Sequence, residues 1–115
     1  MFKNETFQPV KAVLISEEEG NVSEIDLDIS PEKREIFKLL KGPSTFIGMC
    51  YEKNVVAMKC RESVFELMKN RNKLPKPFDE ETEIFGPVLF IRMNENAEPE
   101  DFTLKEYQDW SGTQA

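Results

Sequence analysis

Apolar and polar positions near the N-terminus follow two different patterns. Residues 10–15 read VKAVLI, a near-continuous apolar run that predicts a strand covered on both faces. Residues 22–29 alternate instead, with Ile25, Leu27 and Ile29 on one face and acidic residues on the other. Such alternation predicts a strand with one face in the core and one in water. The polar segment between the two runs is typical of a turn, so the strands are expected to form a hairpin.

The middle of the chain combines a helix signal with further strands. Ser30-Pro31 is typical of a helix start, an apolar stripe at helical spacing follows it, and Gly42-Pro43 is expected to end the helix. Residues 61–70 predict a second short helix, and the proline-containing residues 70–77 are expected to form a loop. The remaining predicted strands are residues 44–51, 54–60 and 88–93.

The C-terminal segment carries the sharpest local signal. Thr103 and Glu106 have the spacing of a capping box, in which each side chain accepts a hydrogen bond from the other residue's backbone N–H. Phe102 and Tyr107 have the spacing of a hydrophobic staple around that cap. A helix that begins at Leu104 and docks through aromatic side chains is therefore predicted.

Together these patterns predict an α+β fold. About five strands are expected to form a mixed or antiparallel sheet with two or three short helices, in the order ββαββ(α)βα. The helices are expected to pack on one face of that sheet. The expected organisation is a flexible arm over residues 1–8, a single domain over residues 9–111 and a tail over residues 112–115.

The acidic composition limits the partners. Asp and Glu number 22 against 15 Lys and Arg, which gives a net charge of −7. That charge argues against nucleic acids, which bind mainly through phosphate neutralisation, and against anionic membranes. The chain has no run of about 18 apolar residues to span a membrane and no secretion signal. Two cysteines are too few for a disulfide framework, so a cytoplasmic location is expected.

The sequence carries no catalytic motif. It contains no histidine, which excludes imidazole bases and His-ligated metals, and it has no phosphate-binding glycine loop. A two-residue turn after residue 51 would place Cys50 opposite Val55 and Cys60 opposite Thr45, too far apart for a disulfide. Both cysteines are interpreted as small buried hydrophobic residues. No metal and no cofactor are expected.

Two sets of residues are candidates for binding. The first set comprises proline-rich loop residues and a C-terminal aromatic residue, which either fold over the core or anchor a protein partner. Its members are Leu74, Pro75, Pro77, Phe78 and Trp110. The second set comprises basic residues near predicted strand ends, which are suited to an anion. Its members are Lys59, Arg61 and Arg92.

Four segments carry a resemblance: PSTFIG from residue 43, KLPKPF from residue 73, GPVLFIRM from residue 86 and EPEDFTL from residue 98. Over residues 11–107 the chain resembles a family of small proteins of unknown function from large DNA viruses of algae and from phages. The resemblance implies a small viral α+β domain that works inside an infected host cell. It implies no activity and assigns no functional residue.

The function expected from these observations is a non-catalytic intracellular interaction module that binds a protein partner or self-associates. The absence of catalytic motifs favours binding over catalysis. The alternative is a small-molecule or nucleotide-binding protein, including an enzyme that uses carboxylates with Lys or Arg.

Overall fold

The structure, a computed structural model, describes residues 9–61, 68–80 and 83–112. Within those ranges the elements are β1 (Val10–Ile15), β2 (Val22–Leu27), α1 (Glu35–Leu40), β3 (Ser44–Cys50), β4 (Val55–Cys60), β5 (Val88–Met93), β6 (Pro99–Glu100) and α2 (Leu104–Ser111).

The strands form one antiparallel sheet with the order β2-β1-β5-β4-β3, and the short β6 pairs with the end of β5. The predicted hairpin of β1 and β2 is confirmed, with a register that runs from Val10 opposite Leu27 to Ile15 opposite Val22. β5 lies between this hairpin and the β3–β4 hairpin. Four of its six residues are buried, which suits a central strand with both faces covered. The α+β class is therefore confirmed, with an antiparallel sheet.

Both faces of the sheet are covered, and by different elements. One face packs against α2 and the segment 70–80, which contribute Phe78 and Tyr107, and we call it the aromatic face. Its strand residues include Val13, Ile15, Val55, Val88 and Phe90. We call the other the aliphatic face, because it packs against α1; it includes Ala12, Leu27, Val56, Leu89 and Ile91.

The two helices thus lie on opposite faces, and the expectation that they share one face was wrong. β1, β4 and β5 present apolar side chains to both sides, so each face needs its own cover to exclude water. The chain meets that need with α1 on the aliphatic face and α2 on the aromatic face.

The first helix begins later than Ser30-Pro31 predicts. Ser30 lies in a turn, in which its carbonyl accepts a hydrogen bond from the Lys33 N–H at 3.1 Å. The helix α1 starts only at Glu35, after Arg34 in the left-handed conformation. Asp28 organises this turn, accepting from the Ser30 N–H at 2.9 Å and from the Lys33 ammonium at 2.8 Å. An Asx turn therefore takes the place of the serine cap.

The second helix predicted over residues 61–70 falls mostly on residues 62–67, which lie outside the described ranges. Where the chain is described again it is extended, since Lys69 forms an isolated bridge with Phe85. The described part of that prediction was therefore wrong.

The β3–β4 pair shows where the predicted register fails. Cys50 lies opposite Val55 as expected, but Cys60 lies opposite Ser44 instead of Thr45, because a bulge between Phe46 and Gly48 shifts the register. Both cysteines are buried and free, as the interpretation as small hydrophobic residues requires.

Candidate partner-binding groove

An apolar groove of about 610 Å³ opens at the turn between β3 and β4, where that turn meets the segment 70–80 and α2. Its lining comes from three parts of the chain: Met49, Cys50, Tyr51, Glu52, Lys76, Pro77 and Trp110. Two of these residues, Pro77 and Trp110, were predicted from the sequence as partner-binding residues.

The C-terminal helix positions Trp110. Both halves of the predicted capping box form: the Thr103 hydroxyl accepts from the Glu106 N–H at 3.2 Å, and the Glu106 carboxylate accepts from the Thr103 N–H at 3.0 Å. Phe102 and Tyr107 on either side of the cap are buried in the aromatic face. The cap therefore fixes the direction in which α2 leaves the sheet, and Trp110 lies in the last turn of that helix.

Aromatic contacts hold the Trp110 ring in place. Its centroid lies 5.5 Å from that of Phe90, 6.0 Å from Phe102, 6.1 Å from Phe78 and 6.2 Å from Tyr107, all in edge-to-face arrangements. The indole N–H donates to the Lys76 carbonyl at 3.0 Å. Because the polar atom is already satisfied, the remaining surface of this half-buried ring is apolar.

The other predicted loop residues serve the core. Leu74 and Phe78 are each 3% exposed, and Pro75 is buried. Phe78 packs over Gly48, where a Cβ atom would lie 3.1 Å from the phenylalanine ring. Of the two interpretations left open by the sequence, the one in which Leu74 and Phe78 fold over the core is therefore confirmed. Pro77 alone among the four loop residues keeps its side chain at the surface.

Tyr51 was missed by sequence reasoning. It follows β3 directly and is 81% exposed, although a tyrosine normally buries most of its ring. A residue in a turn belongs to no periodic apolar pattern. The one signal in the sequence was an aromatic residue at the tip of a predicted hairpin. Together with Pro77 and Trp110 it gives the groove a proline and two aromatic rings.

Charged residues surround the groove and brace it. Arg92 donates to Glu106 at 2.9 Å, which ties β5 to α2. Burial would raise the pKa of the Glu106 carboxyl, but hydrogen bonds from the Thr103 N–H and from Arg92 outweigh it and lower that pKa. The Lys53 ammonium lies 5.8 Å from the centroid of the Trp110 ring.

The structure does not bring the three predicted anion-binding residues together. Lys59 lies opposite Val88 in the β4–β5 ladder, whereas Arg92 lies opposite Val55. Four residues of strand separate the two positions, or about 13 Å. Arg61 follows the Lys59 end of β4, and the Arg92 guanidinium is engaged by Glu106 and by two backbone carbonyls. These residues therefore do not form one site.

A second cavity, of about 460 Å³, does gather basic residues that sequence reasoning did not select. Lys69, Arg71 and Lys73 line it, together with Asp79. Acidic groups offset this charge, because Glu83 lies 3.5 Å from Lys69 and Asp79 lines the same cavity. The positive charge of this cavity is therefore partly neutralised.

The described residues contain no cluster of three or more Cys, Asp or Glu side chains that could hold a metal ion. In the same ranges no helix is both long and apolar enough to cross a membrane. The surface that lines the groove is mostly apolar.

These features define a small antiparallel α+β domain with an apolar surface groove. The chain belongs to a family of unknown function, DUF5880, whose model matches residues 13–110. No curated protein and no solved structure shows significant similarity to it. The expectation of a family without an assigned activity is thereby confirmed.

Proposed function

We propose that this protein is a non-catalytic interaction module whose groove binds an extended, proline-containing segment of a partner protein. The observation that carries the proposal is the position of the 81%-exposed Tyr51 beside Pro77 and Trp110 in one apolar groove. Exposed aromatic rings are enriched at protein interfaces and rare elsewhere on a soluble surface.

The lining favours an extended segment over a helix. Grooves lined by aromatic rings are the usual docking site of polyproline II segments, whose fixed φ angles lower the entropy cost of binding. The groove is a shallow opening between three segments, and it is not a closed cavity for a small molecule. Glu52 and Lys76 in the lining offset each other, so the net charge of −7 is what favours a partner segment with a Lys or Arg beside its prolines.

The chain offers a direct probe of this proposal. Trp110 is the single tryptophan and lines the groove, so its fluorescence reports occupancy without a label. Titration with a proline-rich peptide of about ten residues is expected to change the emission and to saturate. The peptide with a flanking Arg is expected to bind more tightly than the same peptide with a flanking Glu.

Two variants make the experiment specific. Tyr51→Ala is expected to weaken binding about tenfold or more, since aromatic anchors dominate such interfaces. Phe37→Ala removes another exposed aromatic residue, on α1 and away from the groove lining, and is expected to leave binding unchanged. Absence of saturable binding by either peptide, or an equal loss in both variants, would refute the proposal.

The cellular setting is also a proposal. An intracellular location, within the host cytoplasm if the chain is viral, is supported by two buried cysteines that remain free thiols and by the resemblance described above. Fractionation of cells that express the tagged protein would test it.

A further inference from the structure

We infer that the outer edge of β3 pairs antiparallel with the same strand of a second copy of this chain. β3 is the terminal strand of the sheet, and among the described residues no segment pairs with its outer side. Such an edge presents unpaired N–H and C=O groups that are a template for another strand. The proposed dimer contacts include Met49 and Glu52 of the groove lining but neither Pro77 nor Trp110.

The two edges of the sheet differ in how they are protected. β2, at the opposite edge, carries Glu24 and Asp26, and the ammonium group of Lys11 lies 2.9 Å from Asp26. β3 reads STFIGMC and carries no charged residue over its seven positions. Charged side chains are the usual protection of an edge strand, so β2 is protected and β3 is not.

Exposed apolar surface lies along the same unprotected edge. Phe46 in the middle of β3 is 61% exposed, and the half-buried Met49 lies on the same face of the sheet, opposite Val56. A second strand beside β3 would cover both side chains. The bulge between Phe46 and Gly48 adds twist, so pairing is expected in short runs on either side of it. The physical expectation is a weak, concentration-dependent dimer.

Charge complementarity selects a second copy as the occupant. The exposed Arg61 lies at the Ser44 end of β3, where its N–H donates to the Pro43 carbonyl, and the exposed Glu52 lies just beyond the Cys50 end. Antiparallel pairing about a two-fold axis brings each end of β3 against the opposite end of its partner. Arg61 of each copy then approaches Glu52 of the other, which offsets part of the repulsion between two chains of net charge −7.

The first test is the mass of the protein in solution as a function of concentration, by light scattering after size exclusion and by sedimentation equilibrium. A shift from monomer to dimer between micromolar and millimolar concentration is expected. Phe46→Lys is expected to raise the dissociation constant about tenfold or more, because it places a charge on the edge of both copies. Since Phe46 is mostly exposed, the variant should fold, and circular dichroism checks this.

Matched control variants test whether association depends on this edge of the sheet. Ser23→Lys adds the same charge to the opposite edge strand, at an exposed position, and is expected to leave the dissociation constant unchanged. Glu52→Arg is expected to weaken the dimer, and Arg61→Glu in the same chain is expected to restore it. A monomer at all concentrations, or a dimer that Phe46→Lys leaves intact, would overturn the inference. Tyr51→Ala tests the groove and Phe46→Lys tests the edge of β3, and Phe46 is not part of the groove lining, so either proposal can fail alone.

Discussion

Replacing the side chain of Asn70 should destabilise the fold, because this side chain is 8% exposed and bonds to backbone groups of three segments. Its amide donates to the Gly86 carbonyl at 2.9 Å and to the Ile15 carbonyl at 3.3 Å, and its oxygen accepts from the Asn72 N–H at 3.0 Å. These bonds join the segment 70–80 to β1 and to Gly86, two residues before β5. Asn70→Ala leaves three backbone groups without that partner.

The magnitude follows from those three bonds. A buried group left without its partner costs about 1–3 kcal/mol, and a partly buried or long bond costs less. The shorter bond to Gly86 therefore makes the largest contribution, and the expected loss of unfolding free energy for the three bonds together is about 3 kcal/mol. With a urea slope of about 1–3 kcal/mol per molar, the unfolding midpoint is expected to fall by about 1–3 M. Urea titration followed by Trp110 emission and by circular dichroism measures it.

Two further variants make that result interpretable. Asn96→Ala removes an exposed asparagine side chain from a turn and is expected to change stability by less than about 0.5 kcal/mol. Asn70→Asp keeps the shape but replaces the donor with a carboxylate that faces two carbonyl oxygens. Asn70→Asp is expected to lower the free energy of unfolding more than Asn70→Ala does at neutral pH. In acid the loss is expected to be smaller, because the protonated carboxyl regains a donor. If Asn70→Ala matched Asn96→Ala, the reasoning would be refuted.

Two other predictions concern the ends of the helices. Thr103→Ala removes the capping hydroxyl of α2 and is expected to cost about 1 kcal/mol of unfolding free energy in urea titration, whereas Ser23→Ala on an exposed strand position should cost little. The hydrogen bond from Lys33, followed by that from the Ser30 N–H, lowers the pKa of Asp28 to about 2. Its stabilising contribution is therefore complete above about pH 4, the usual aspartate value, and is lost as pH falls towards 2. The stability difference between wild type and Asp28→Asn, measured from pH 6 to pH 2, should shrink over that window; a constant difference would contradict the assignment.

The strands and the C-terminal cap were accessible from sequence because their signals are local. The apolar run that became β5 and the Thr103–Glu106 spacing each encode their structure within a few residues. The helix start predicted from Ser30-Pro31 was wrong because a second local signal competes with it. Asp28, two residues earlier, forms a turn with Ser30 and Lys33. Short polar side chains can bond to the backbone either as a helix N-cap or within a turn, and the two arrangements differ little in free energy.

The candidate groove was only partly accessible, because its lining depends on contacts between distant segments. Pro77 and Trp110 carry composition signals of a binding surface, and the structure brings them together. Phe78 carries the same signal yet fills the space above Gly48, which no local pattern reveals. The exposure of Tyr51 likewise depends on where the β3–β4 turn projects from the sheet.

Arg92 shows how one side chain can hold such a groove together. The sequence suggested an anion site for it, but its guanidinium donates to the Lys53 carbonyl at 3.1 Å, to the Asp101 carbonyl at 3.0 Å and to Glu106 at 2.9 Å. These acceptors belong to the β3–β4 turn, to the segment before α2 and to α2 itself. The planar guanidinium carries its N–H donors on three separate nitrogens, so it can reach acceptors that lie farther apart than those around the single nitrogen of an ammonium group. Arg92 therefore fixes Trp110's helix against the turn that carries Tyr51, so the width of the groove depends on a residue outside its lining.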